Sequence, residues 1–140
     1  MAQTQTLKCP ESVENLKDKQ ALSINELLCV NVWRELSHSQ RTLIKFLQHL
    51  KSVHARRTIK MFVDREAKNF KITTYRSTFE IIDGKIIFKR INAWGEVVID
   101  IAPVGLEKTD LLIEFLSNWV ESHLFDKEVV IPKYILDHLA

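Results

Sequence analysis

The sequence predicts an α+β fold in which helices pack on one face of an antiparallel sheet. Apolar residues recur at helical spacing near both ends of the chain and alternate with a period of two in the middle. The dipeptide Asp83-Gly84 separates two β-rich runs, as a tight hairpin turn does. The predicted order is two N-terminal helices, a four-stranded antiparallel meander sheet, an amphipathic acidic C-terminal helix and a short β/α tail.

The length and composition fit one globular domain. The chain has 140 residues, of which 46% are hydrophobic and 27% charged, and these proportions are typical of globular proteins. The Gln/Thr-rich start of the chain lacks apolar periodicity. We therefore predict a flexible tail over residues 1–20 and a single α+β domain over residues 21–140.

Two helices are predicted before the sheet. Ser23 and Glu26 have the spacing of a capping box and mark the start of the first helix. Residues 37–39, Ser-His-Ser, favour caps and turns and would separate this helix from the second. The second helix has a well-defined apolar face. Its opposite face carries basic side chains, namely Arg41, Lys45, His49 and Arg56.

The middle of the chain predicts an antiparallel meander. Apolar and polar residues alternate from Thr58, and the alternation changes phase near residues 76–78, where we expect a bulge or a break. Asp83-Gly84 predicts a type I′ turn, because both central residues of that turn take positive φ. Residues 92–95 predict a further turn before the last strand, in which Asp100 is expected to face outward between two isoleucines.

The C-terminal part predicts one long helix and a small tail. Apolar residues from Leu111 to Leu124 form the stripe of an amphipathic helix, which follows the sheet-ending Pro103 and Gly105. Residues 129–131 predict a short edge strand, and residues 134–139 a final helical turn. The polar side of the long helix is acidic and carries Glu107, Asp110, Glu114, Glu121 and Asp126.

Charge is segregated along the chain. Residues 41–90 carry 13 Lys/Arg and 4 Asp/Glu, whereas residues 91–140 carry 3 and 9, although the net charge of the whole chain is +2. Such asymmetry usually concerns partners rather than the fold. We expect the basic segment to bind an anionic partner, with nucleic acid slightly favoured over an acidic protein. The candidate residues are Arg41, Lys45, His49, Lys51, Arg56, Arg57 and Lys60.

Other uses of the basic segment remain open. It could be a solvated helix face and a protected strand edge. The acidic helix could also neutralise it, either within the monomer or across a homodimer. Trp94 and Phe62 are the candidate interface residues. Trp94 is a large aromatic ring in a predicted turn, where it has few routine structural roles. Phe62 is one of the apolar residues that indicate that both faces of the sheet are partly apolar. The alternative function is therefore a protein-interaction or chaperone-like adaptor that acts as a homodimer.

No catalytic residue, metal ligand or cofactor site is predicted. The five histidines lack the spacing of a zinc helix, and three glycines leave little room for a phosphate-binding loop. We expect a binding protein rather than an enzyme.

The cysteines and the apolar runs bear on the cellular location. Cys9 and Cys29 lie 20 residues apart without a C-x-x-C spacing, so we expect no structural disulfide and a reducing compartment. The first 20 residues lack the apolar core of a secretory signal. No apolar run approaches the length of a membrane span. These observations predict a cytoplasmic protein without a membrane partner.

Overall fold

The computed structural model describes residues 9–52, 59–123 and 129–140. Within these ranges the fold is α+β with an antiparallel sheet, as predicted. A 3-10 helix spans Val13–Leu16. The strands are β1 Ala21–Ser23, β2 Lys60–Asp64, β3 Asn69–Thr73, β4 Ser77–Ile82, β5 Lys85–Ile91, β6 Val97–Pro103 and β7 Val130–Pro132. The α-helices are α1 Ile24–Leu27, α2 Val30–Trp33, α3 His38–Ser52, α4 Leu106–His123 and α5 Lys133–His138.

The main sheet has five strands rather than the predicted four. Its order is β2-β3-β4-β5-β6, and every neighbouring pair is antiparallel. The difference arises at residues 74–76, where the chain reverses direction instead of forming a bulge. The Thr74 N–H donates to the Ser77 carbonyl, and the two hydroxyl oxygens lie 2.7 Å apart. The phase change in the sequence therefore marks a turn between two strands.

The two turns that the sequence predicts in β4–β6 are confirmed. Asp83 and Gly84 have φ values of 53° and 73°, as a type I′ hairpin requires. In the next turn, the Asn92 side-chain oxygen accepts the N–H groups of Trp94 and Glu96, each at 2.9 Å. An asparagine side chain thus closes the β5–β6 connection, and it leaves Trp94 at the tip.

One face of the sheet belongs to the core. Cross-strand register aligns Phe70, Ile81, Ile86 and Ala102, all of them buried, across β3–β6. Phe46 of α3 stacks on Phe79 in the next row, with ring centroids 4.0 Å apart. The buried residues of α3 and α4 join this face in a single hydrophobic cluster. Large apolar side chains at helical spacing therefore hold both long helices on the same side of the sheet.

The other face carries exposed residues and is called the open face below. The register and the burial pattern of β2–β6 place its residues on the side away from Phe70 and Phe79. They include Lys60, Phe62, Asp64, Lys71, Glu80, Lys85, Ile87, Lys89, Ile99 and Ile101.

The region before α3 differs from the single predicted helix. The capping box is confirmed, because the Ser23 Oγ accepts the Glu26 N–H and the Glu26 carboxylate accepts the Ser23 N–H, each at 3.1 Å. The helix nevertheless stops after one turn, and Cys29 adopts an extended conformation before α2 begins. Two short helices therefore replace one longer helix, and the second predicted helix corresponds to α3.

Cys9 and Cys29 form a disulfide, so the expectation of no structural disulfide is wrong. Their Cα atoms lie 5.7 Å apart. The 3-10 helix Val13–Leu16 brings the chain after Cys9 back towards the core, where Leu16 is buried. This return of the chain depends on tertiary packing, which cysteine spacing does not report.

The C-terminal elements follow the prediction. The acidic helix is α4, and the short strand β7 pairs antiparallel with β1 before α5 closes the chain. Leu22 and Ile131 are opposite each other in this small sheet, and both are buried. Of the residues listed for the acidic side of the helix, Asp126 lies outside the described residues.

Candidate functional site

Arg41 is engaged with the protein backbone. Its Nε donates to the Trp33 carbonyl at 3.0 Å, and a terminal nitrogen donates to the Arg34 carbonyl at 2.9 Å. Its guanidinium also lies 5.7 Å from the centre of the Trp33 ring. A cation at the end of α2 satisfies carbonyls that the helix leaves unpaired. Arg41 therefore has a structural role that the sequence pattern did not indicate.

Lys45 faces Asp100, and this position of Asp100 corrects the prediction that its side chain points outward. Asp100 is registered opposite Phe88, so it lies on the helix side of the sheet. Its carboxylate accepts from Arg90 at 2.9 Å and lies 3.5 Å from the Lys45 ammonium. The Asp100 side chain is 14% exposed. Two cations compensate a largely buried carboxylate, which explains why Asp100 is tolerated there.

A polar cleft of about 290 Å³ opens beside this ion cluster. It is called the α3–β5 cleft, and its lining residues are Lys45, Gln48, His49 and Arg90. The His49 ring packs edge-on against Phe88, with centroids 5.6 Å apart. Burial, followed by the positive charge of Arg90, lowers the pKa of His49 below its ordinary value. Arg90 is a residue of this cleft that the sequence did not indicate, because it is distant from the basic helix in the chain.

Of the remaining residues of the predicted basic set, the structure describes Lys51 and Lys60. Lys51 is half-buried near the end of α3. Lys60 is exposed and belongs to the open face. Arg56 and Arg57 lie outside the described residues. The structure therefore divides the described members of the predicted set between the helix side of the sheet and the open face.

The open face combines apolar and basic side chains. Phe62 is 60% exposed and lies in the same cross-strand row as Lys71, Glu80, Ile87 and Ile101. Four lysines belong to this face, namely Lys60, Lys71, Lys85 and Lys89.

Two carboxylates accompany the four lysines of the open face. Glu80 lies in the row described above, with Lys71 directly opposite it on β3. Asp64 lies at the β2–β3 turn, where its carboxylate accepts the Ala67 N–H at 3.1 Å. Lysine therefore outnumbers carboxylate on this surface.

Two further aromatic side chains lie at one end of the open face. The β3–β4 and β5–β6 turns come to the same end of the meander, and we call these turns the rim. Trp94 is 84% exposed and Tyr75 is 77% exposed. The Ile91 N–H donates to the Arg76 carbonyl at 3.1 Å, which ties the two turns together. Sequence reasoning selected Trp94 but missed Tyr75 and Arg76, because no local sequence signal marks residues 74–76 as a turn.

The acidic helix α4 has its own basic neighbours. Arg65 pairs with Glu114 at 2.9 Å, and Lys68 lies 3.5 Å from Asp110. Both cations belong to the β2–β3 turn. These contacts neutralise part of α4 within the monomer, but they use none of the residues predicted for anion binding.

In the part of the chain that the structure describes, no cluster of three His, Cys, Asp or Glu side chains is arranged to hold a metal ion. No helix in the same ranges is long and apolar enough to cross a membrane.

Comparisons of the chain with protein-family models, curated protein sequences and solved structures gave no match, so function is argued from the residues of this chain.

Proposed function

We propose that the protein binds single-stranded nucleic acid on the open face and the rim. The main support is one observation: lysines share this surface with exposed aromatic side chains. This proposal keeps the predicted class of partner but moves the binding surface from α3 to the sheet. The reason for the move is that Arg41 donates to the carbonyls of Trp33 and Arg34 and therefore adds no free cation to the described part of α3.

The open face and the rim offer contacts for both the phosphates and the bases of a nucleic acid. Lysine ammonium groups attract phosphates, and their binding releases counterions from the nucleic acid. Exposed aromatic rings stack on unpaired bases, and Phe62, Tyr75 and Trp94 offer such rings. Stacking requires bases that are free of a duplex. We therefore expect a single strand to bind more tightly than the corresponding duplex.

Removing two lysines of the open face tests the electrostatic part of the proposal. The variant combines Lys71→Gln and Lys89→Gln. Its matched control combines Lys17→Gln and Lys133→Gln, which remove the same charge from residues paired with Glu14 and Asp137. Binding of a labelled single strand is measured by fluorescence anisotropy at several salt concentrations.

Each phosphate contact contributes about 0.7 to the slope of log K against log salt for a single strand. The open-face variant should therefore lose about 1.4 of this slope, while the control keeps it. Equal weakening of both variants would mean that net charge alone drives binding. Absence of binding by the unmodified chain at low salt would refute the proposal.

Replacing an aromatic side chain tests the stacking part. Phe62→Ala should weaken single-strand binding by about 1–3 kcal/mol, the range measured for base stacking on aromatic residues. Tyr134→Ala is the control, because Tyr134 is an exposed aromatic residue of α5, outside the proposed surface. A larger loss from Tyr134→Ala than from Phe62→Ala would contradict this placement of the site.

A second candidate is the protein-interaction adaptor, with a second copy of the chain as its partner. Val97, Ile99 and Ile101 are exposed along β6, which is the last strand of the described sheet. His38 and Ser39 bond the carbonyls of Ile101 and Pro103 at the C-terminal end of β6. Pairing with another β6 would therefore use its N-terminal half. Sedimentation equilibrium decides this point: a dimer that Ile99→Lys dissociates supports the adaptor, and a monomer excludes this form of it.

A cytoplasmic location belongs to this proposal as well. The Cys9–Cys29 disulfide of the structure would then be reduced in the cell, because disulfides rarely persist in a reducing compartment. Alkylation of thiols at the moment of lysis, followed by mass spectrometry, measures their state. An intact Cys9–Cys29 disulfide in the cell would contradict the location.

A further inference from the structure

The ion cluster beside the α3–β5 cleft carries an excess of positive charge. Lys45 from α3 and Arg90 from β5 share the single carboxylate of Asp100 from β6. The cluster therefore keeps one uncompensated positive charge. Lys45 and Arg90 are both partly exposed, at 35% and 26% of their side chains, so a solute can reach them from the cleft.

The other lining residues add hydrogen-bonding groups. Gln48 is exposed and lies one helical turn from Lys45, while His49 is half-buried against Phe88. A guanidinium presents several N–H groups in a planar fork that matches the oxygens of a phosphate. The cleft volume of about 290 Å³ leaves room for a small anion between the helix and the strand.

We propose that the α3–β5 cleft binds a phosphate group, with Arg90 and Lys45 as the charged contacts and His49 and Gln48 as further hydrogen-bonding partners. This site lies on the helix side of the sheet and shares none of its four lining residues with the open face. It therefore does not depend on the proposed nucleic-acid function, and either proposal can fail without the other.

Titration with inorganic phosphate at low salt tests the site. Isothermal calorimetry should give a Kd of about 1 mM or tighter. NMR titration of the histidine side chains provides a second readout. Bound phosphate offsets the charge of Arg90, so the pKa of the His49 imidazole should rise when phosphate binds. Failure of phosphate to bind at millimolar concentration would refute the proposal.

Two neighbouring residues of β5 give a matched pair of variants. Arg90→Gln removes a contact from the cleft, and Lys89→Gln removes the same charge from the open face. Arg90→Gln should weaken phosphate binding at least tenfold, the effect of losing a charge-assisted hydrogen bond. Lys89→Gln should change it less than about twofold. Equal weakening by the two variants would overturn the proposal.

Asp100→Asn should affect phosphate binding in the opposite direction to Arg90→Gln. Asp100 competes with phosphate for Lys45 and Arg90, so removing its charge should tighten phosphate binding about tenfold. If Arg90→Gln fails to fold, Lys45→Gln replaces it, because Arg90 still compensates Asp100 in that variant. Weaker phosphate binding by folded Asp100→Asn would contradict the proposed contacts.

The phosphate group has two possible sources, which one further comparison separates. Oligonucleotides with and without a 5′-phosphate are titrated into the protein in which Lys71 and Lys89 are replaced by Gln. Tighter binding of the phosphorylated strand than of the unphosphorylated strand assigns the cleft to a nucleic-acid end. Equal affinities of the two strands assign the cleft to free phosphate.

Discussion

Asp100 lies on the opposite face of the sheet from the one its neighbours indicate. Alternation places Asp100 on one face of the sheet and Ile99 and Ile101 on the other, but it does not show which face packs against the helices. Register with Phe88 directs Asp100 inward, where Arg90 and Lys45 neutralise its charge. The isoleucines are exposed as a consequence. Ion pairing between distant residues overrides the hydrophobic pattern here, and no local sequence signal reports it.

His49 should make the folded protein less stable in mild acid. Burial and the charge of Arg90 lower its pKa below 6.5. The unfolded chain therefore takes up this proton at a higher pH than the folded protein does. Above about pH 6.5 the residue is neutral in both states, and the free energy of unfolding falls as the pH drops through that value.

The measurement is the unfolding temperature of the unmodified chain and of His49→Gln between about pH 8 and pH 5. The unfolding temperature of His49→Gln should fall less on acidification than that of the unmodified chain, because the glutamine side chain takes up no proton. Parallel curves for the two proteins would show that His49 titrates alike in the folded and unfolded states.

Turns and caps with a local chemical cause could be predicted, whereas chain reversals without one could not. Asp83-Gly84 supplies two residues that tolerate positive φ, and Ser23 with Glu26 supplies a reciprocal pair of hydrogen bonds. Residues 74–76, Thr-Tyr-Arg, contain none of the usual turn formers. Their reversal is held by Thr74 and Ser77 and by the pairing of the flanking strands. For this reason the sequence predicted four strands in the main sheet instead of five.

Two glycines with the same backbone requirement should differ in their tolerance of alanine. Gly84 and Gly95 have φ values of 73° and 81°, so alanine at either position costs about 1 kcal/mol of backbone strain. A Cβ at Gly84 would also lie 3.2 Å from the backbone nitrogen of Leu106, whereas nothing lies within 4 Å of one at Gly95. The Gly84 carbonyl accepts two N–H groups, from Val104 and Gly105, at 2.8 Å each.

We therefore expect Gly95→Ala to lower the free energy of unfolding by about 1 kcal/mol and Gly84→Ala by about 2 kcal/mol or more. Urea denaturation measures both values. A loss at Gly84 no larger than the loss at Gly95 would mean that the hairpin is not packed against the start of α4.

The charge asymmetry of the sequence becomes an asymmetry between the two sides of the sheet. Acidic residues of α4 lie on the helix side, together with the Arg65 and Lys68 partners that reach them from the β2–β3 turn. Four lysines from three strands, β2, β3 and β5, lie on the open face. The sequence indicated the basic segment and two exposed aromatic residues. It could not indicate the surface, because residues of five strands meet there only after the sheet has formed.

The central claim is that the open face binds nucleic acid, and isoleucine methyl groups report on it directly. Ile87, Ile99 and Ile101 lie on the open face, whereas Ile44 and Ile72 are buried on the helix side. A single-stranded oligonucleotide is titrated into protein labelled at its isoleucine methyl groups, and the NMR shifts are followed. We predict shifts at the three open-face methyl groups and none at the two core methyl groups. Shifts confined to the helix side, or no shifts at a saturating concentration, would contradict the claim.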